Sequence, residues 1–82
     1  MKFYCGIDLS ARDCHVCVID EQLKIVVQQK RRNELAKICQ LLEPYKAHLQ
    51  IVVESTFNWY WLIDGLQAEG FDVVLAHTLG SI

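Results

Sequence analysis

The sequence predicts a single mixed α/β domain in which five strands and two crossover helices share one sheet. Three observations carry this expectation. Apolar, β-branched runs bounded by turn residues fill the first third of the chain. The apolar spacing then changes twice from the strand period to the helical period. After each helical stretch comes another compact β-branched run.

Residues 3–8 form an apolar run that ends in Asp8, and Leu9-Ser10-Ala11-Arg12-Asp13 reads as a turn. Residues 14–19, apolar around His15, make a second strand, and Asp20-Glu21-Gln22 a second turn. Leu23 to Gln28, with Ile25, Val26 and Val27, reads as the third strand. Two tight connections join these three into an antiparallel meander. From Asn33, a candidate N-cap, Leu35, Ile38, Leu42 and Tyr45 keep helical spacing, and Pro44 weakens the helix near its end. Leu49 to Val53 is a β-branched run stopped by Glu54, the fourth strand. Ser55 or Thr56 is placed to cap a second helix with Trp59, Leu62, Ile63 and Leu66 on one stripe, and Gly70 to end it. Phe71 to Ala76 is the fifth strand, and His77 to Ile82 carries no element. The order β-β-β-α-β-α-β is the opening of a ribonuclease-H-like fold, with expected sheet order 3-2-1-4-5. A plain α+β sandwich is the alternative.

Composition bounds the function. At 82 residues the chain holds one small domain, and 52% apolar residues exclude a disordered tail. A net charge of -2 excludes a polybasic coat and a strongly acidic mimic. No apolar stretch approaches the ~20 residues that cross a bilayer. Asp8 interrupts any signal-peptide core, so a cytoplasmic location with no membrane partner is expected. Cys5, Cys14, Cys17 and Cys39 read as reduced core residues. Cys14-His15-Val16-Cys17 matches C-x-x-C, but positions three apart on a strand face opposite ways, and no second pair stands at zinc spacing. Lys30-Arg31-Arg32, the only basic run, is either a solvated helix entrance or a phosphate contact. Trp59 is expected to pack inward, leaving Tyr60 or Trp61 exposed. Nothing around His15 or His77 has the arrangement of a catalytic triad, and His48 reads as surface.

Two carboxylates carry the chemistry. Asp8 ends the first strand and Glu54 the fourth. In the expected order these strands are parallel neighbours whose C-terminal ends lie side by side, ~4.8 Å apart. Close carboxylates repel when both are ionised, and a divalent cation held by oxygen ligands, Mg²⁺ or Mn²⁺, removes the conflict. Strand-end acids are also common in turns, so a purely local role is the competing explanation. Among other acids, Asp72 opens the fifth strand at the far end of the sheet, and Asp64 and Glu69 belong to the second helix. Asp13, near Asp8, reads as a structural turn acid.

Gly6-Ile7-Asp8-Leu9-Ser10 with Arg12-Asp13 resembles the first block of the DEDD transposases, the insertion-sequence one-ten family that includes the pilin-gene invertases. Val53-Glu54-Ser55-Thr56 with Tyr60, then Leu62, Leu66, Gly70 and Phe71-Asp72-Val73-Val74, resembles its second block. This resemblance covers nearly the whole chain and implies a RuvC-like domain. By resemblance, Asp8 is the first catalytic acid and metal ligand, and Glu54 the second; two further Asp come from a later helix. It also implies Mg²⁺ or Mn²⁺ as cofactor, DNA as partner, a cooperating serine in a C-terminal domain and, in some members, a guide RNA. Phe57 stands where many members have Gly. The chain stops before the last two acids, so it reads as the N-terminal portion of a transposase domain, inactive by itself. An actin-like or sugar-kinase-like nucleotide-binding lobe is a second reading, opposed by the lack of glycine in Leu9-Ser10-Ala11-Arg12. A noncatalytic interaction module is the third. Both crossovers run the same way, so both helices are expected on one face. The bare opposite face then predicts a homo-oligomer.

Overall fold

Alternation of apolar and polar residues builds a sheet with one dry side and one wet side. In the computed structural model, which describes residues 1–55 and 58–76, the strands are β1 (Phe3–Leu9), β2 (Asp13–Asp20), β3 (Ile25–Arg32), β4 (Leu49–Glu54) and β5 (Asp72–Ala76). Helices α1 (Leu35–Leu42) and α2 (Tyr60–Ala68) join β3 to β4 and β4 to β5, with a 3-10 turn over Glu43–His48. The strand order is β3-β2-β1-β4-β5, as the element pattern predicts. β2 is antiparallel to both β1 and β3, while β1, β4 and β5 run parallel.

The core lies on one side. Cys5, Ile7 and Leu9 of β1, Cys14, Val16 and Val18 of β2, Leu49, Ile51 and Val53 of β4 and Val73 of β5 are buried. They meet Ile38 and Leu42 of α1 and Leu62, Ile63 and Leu66 of α2 in a single cluster. Gly65 lets the helices approach, since a Cβ there would collide with Leu35. On the opposite side Tyr4, Val52 and Val74 are 41%, 39% and 45% exposed, and among the described residues no helix covers them.

The larger departures from expectation lie at β3, at both ends of α1 and at the start of α2. The third strand is Ile25–Arg32 and not Leu23–Gln28. Leu23 belongs to the turn, with φ 66, where the Asp20 carboxylate accepts the Gln22 and Lys24 amides at 2.8 and 3.0 Å. The strand continues through polar Gln28 to Arg32 because it is an edge strand, and the polar residues leave no apolar signal. Lys30-Arg31-Arg32 therefore lies in the sheet and not at a helix entrance. Asn33 does not cap α1; Glu34 precedes the helix, and Asn33 Nδ2 donates to the Ser10 carbonyl at 2.8 Å, tying two connections together. Helix α1 ends at Leu42, and Pro44 continues into the 3-10 turn that carries Tyr45.

The cap of α2 is Trp59 and not Ser55; Thr56, the other cap candidate, and Phe57 lie outside the described residues, as do His77 to Ile82. The start of α2 is held by the Trp59 carbonyl, which accepts the Leu62 and Ile63 amides at 3.1 Å. Its far end closes as expected at Gly70. With φ 88, Gly70 donates to Gln67 O at 3.0 Å while Phe71 donates to Leu66 O at 3.0 Å. Trp59 is half-buried against the core and stacks on Tyr60, which is 62% exposed.

Candidate active site

The parallel register pairs Asp8 with Glu54. Both are exposed, at the C-terminal ends of neighbouring strands and on the wet side of the sheet. Adjacent strands lie ~4.8 Å apart, so the two carboxylates stand side by side. The same cross-strand row continues from Asp8 to His15 on β2 and from His15 to Lys30 on β3. In the other direction Glu54 is followed by Ala76 on β5.

Gly6, Asp8, His15, Cys17, Val52 and Glu54 line a shallow depression of about 420 Å³ on this side. Its floor is open at Gly6, where a Cβ would meet nothing within 4 Å. Space, solvent access and two hard oxygen donors suit a divalent cation of the Mg²⁺ or Mn²⁺ kind. Among the described residues no group of three or more His, Cys, Asp or Glu is arranged to hold a metal. The donor set is thus a carboxylate pair that fits part of a coordination sphere.

Of the other acids weighed, Asp72, Asp64 and Glu69 stand where the sequence places them, whereas Asp13, expected in the first turn, lies in a strand. Asp13 opens β2 and pairs with Lys30 at 3.5 Å, a structural ion pair. Asp72 is paired with Gln50, at the far end of β4. Asp64 and Glu69 belong to α2 and its C-cap, on the side of the sheet away from the pair. The thiols are free, and Cys14 and Cys17 face opposite sides. Burial pushes the Cys5 thiol up to about 12, helped by Cys17 and Cys14, and burial also raises Cys14, helped by Asp13.

His15 is the residue that sequence reasoning missed. Its place in the sequence does not point to Asp8, yet the hairpin sets it directly across from that acid. The signal was the turn: once Ser10 N–H donates to Asp13 O at 2.9 Å, every later pair follows, Leu9 with Cys14 and then Asp8 with His15.

Comparison with known proteins bears on the fold and the family. The chain is similar in structure to T. thermophilus RuvC in complex with Holliday junction substrate, at TM-score 0.74 and 10% identity, over 96% of this chain and 66% of that one. It has a lower likeness to the type II variant of the Aquifex aeolicus Ppx/GppA phosphatase, at TM-score 0.49 and 14% identity, over 93% of this chain and 36% of that one. No curated protein matches it. The RuvC likeness establishes a RuvC-like, ribonuclease-H-like fold. Among the described residues no helix is long and apolar enough to cross a membrane. A family model described as a transposase matches residues 5–80, and with that match the chain belongs to the DEDD transposases of the IS110 type.

Proposed function

We propose that this chain is the N-terminal part of a transposase catalytic domain acting on DNA phosphodiester bonds, with Asp8 and Glu54 as two of its catalytic acids and metal ligands. The observation that carries the reading is the register pairing of these acids on the open side of the sheet. A bound Mg²⁺ or Mn²⁺ would supply charge stabilisation at phosphate oxygens and an activated oxygen nucleophile. The chain's own part is to hold two carboxylates on rigid neighbouring strands, on a face wide enough to admit a nucleic acid. β1, the central strand, is hydrogen-bonded along its length to β4, which carries Glu54.

DNA as the partner is supported by the transposase family and by RuvC, whose structure holds a Holliday junction substrate. The chain spans 66% of the RuvC chain, so the activity belongs to a larger protein in this reading. With two acids the chain binds metal weakly and neither cleaves nor joins DNA alone. A guide RNA belongs to this proposal only as a property that the family implies for some members. The nucleotide-binding alternative is not favoured: the β1–β2 turn is closed by Ser10 and Asp13 and has no glycine for the backbone approach to phosphate.

Titration with Mn²⁺, read by electron spin resonance, tests the pair. Weak binding in the wild type, lost in both Asp8→Asn and Glu54→Gln, is expected. Equal binding in all three proteins would remove the assignment. Mg²⁺-dependent nicking by the chain itself, abolished in Glu54→Gln, would overturn its inactivity.

A further inference from the structure

Half of the chain's eight lysines and arginines fall between residues 30 and 37. Alternation along β3 sends Lys30 and Arg32 to the wet side, with His15 and Asp13, and Arg31 to the side of α1, opposite Cys14. Lys37 reaches the same place from α1, so Lys30, Arg31, Arg32 and Lys37 line one groove of about 560 Å³ along the sheet edge. Glu34 is the single carboxylate in that lining among the described residues. Lys30 has Asp13 as its partner at 3.5 Å. No acidic group among the described residues pairs with Arg31, Arg32 or Lys37. In a chain of net charge -2, this is a local concentration of uncompensated positive charge.

One cross-strand row links a groove residue to the acid pair. Lys30 stands in the row that runs through His15 and Asp8 to Glu54. β3 is two strands from β1, about 10 Å. A nucleic-acid strand advances 3.4 Å per nucleotide along its axis, so the edge is about three nucleotides from Asp8. A polyanion crossing this row meets the carboxylates, then His15, then Lys30, and turns over the edge onto Arg31 and Lys37.

We propose that the groove between β3 and α1 holds the phosphate backbone of duplex DNA about three nucleotides from the phosphate that meets Asp8 and Glu54. The proposal rests on the reading of that pair as the reacting site. DNA is preferred to RNA because the groove extends the row whose target, in that reading, is a DNA phosphodiester.

The test is duplex binding by the whole chain, followed by fluorescence anisotropy across a salt series in EDTA, where no cleavage intervenes. Each phosphate contact contributes about 0.9 to the slope of log affinity against log salt. Arg31→Gln/Lys37→Gln is expected to lower that slope by about 1.8, and Lys37→Gln alone, at an exposed helix position, by about 0.9. Lys2→Gln/Lys24→Gln makes the same charge change on exposed residues elsewhere and is expected to keep the wild-type slope. A wild-type slope in both groove variants overturns the groove and leaves the acid pair standing. An equal loss in the Lys2/Lys24 variant also overturns it, since the effect is then one of net charge. Loss of single-stranded RNA binding without loss of duplex DNA binding overturns the choice of DNA. Failure of the Mn²⁺ titration with the slope changes intact removes the acid-pair reading and keeps the groove as a DNA surface.

Discussion

Cys5 shows how a single side chain reports on the core beneath the acids. It is 2% exposed, two residues before Ile7 and three before Asp8, and its thiol ionises near pH 12 where an ordinary one does so near 9. Burial is the main cause. The unfolded chain sheds this proton from pH 9 upward while the folded chain keeps it. The contribution of Cys5 is therefore intact below pH 9 and is lost as pH climbs from 9 toward 12, by at most about 1.4 kcal/mol per pH unit. Urea unfolding at pH 8 and pH 10.5 should show this decline, and a Cys5→Ala protein should show a shallower one. An identical slope in the two proteins would mean that Cys5 is not the group responsible. A thiol reagent at pH 8 should label half-buried Cys17, on the wet side, before Cys5 and Cys14.

At the scale of elements, the end of α2 is set by one glycine. Gly70 sits at φ 88, a conformation that costs a residue with a Cβ about 1–2 kcal/mol. Gly70→Ala should lower stability by about that amount in chemical denaturation, since the two hydrogen bonds that close the helix need this backbone. A change below about 0.3 kcal/mol would show that the helix end relaxes without cost. This ending was legible because glycine follows an apolar stripe. So were β1, β2, β4 and β5, whose buried faces leave β-branched runs in the sequence. The pairing of Asp8 with Glu54 could be read from strand ends alone, because parallel neighbours finish together. β3 was only partly legible, since an edge strand over water needs few apolar residues and Gln28 to Arg32 resemble a loop. The start of α2 was hidden for another reason: Trp59 takes the cap position through its backbone carbonyl, and no side-chain preference announces that. His15 needed the register, which a two-residue error in a turn conceals.

Among the described residues the sheet has an uncovered face with Tyr4, Val52 and Val74 on it, and two open edges, β3 and β5. One edge carries cations, which discourage pairing with another strand. The other, β5, ends a row of apolar residues that runs from Val52 to Val74. Self-association through this face and edge is the expected behaviour of the chain at high concentration. Sedimentation velocity from micromolar to hundred-micromolar protein should show a rising mean coefficient, reduced in Val74→Lys. A constant monomer over that range would mean that the apolar area is too small to drive association.

The strand order has a further consequence, in the lifetime of its hydrogen bonds. β1 is flanked on both sides, so its amides are released only when a neighbour leaves; among the described residues β3 and β5 each have one neighbour. Opening events of low free energy should therefore begin at the edges and reach the centre last. Amide hydrogen exchange followed by mass spectrometry should find slow exchange across Cys5 to Asp8 and faster exchange in Gln28 to Arg32. The carboxylate pair would then be anchored in the slowest-breathing part of the sheet, while the cationic edge can yield to the shape of a bent or irregular backbone. One small domain would thus combine a stiff centre for chemistry with a compliant rim for holding its polymer.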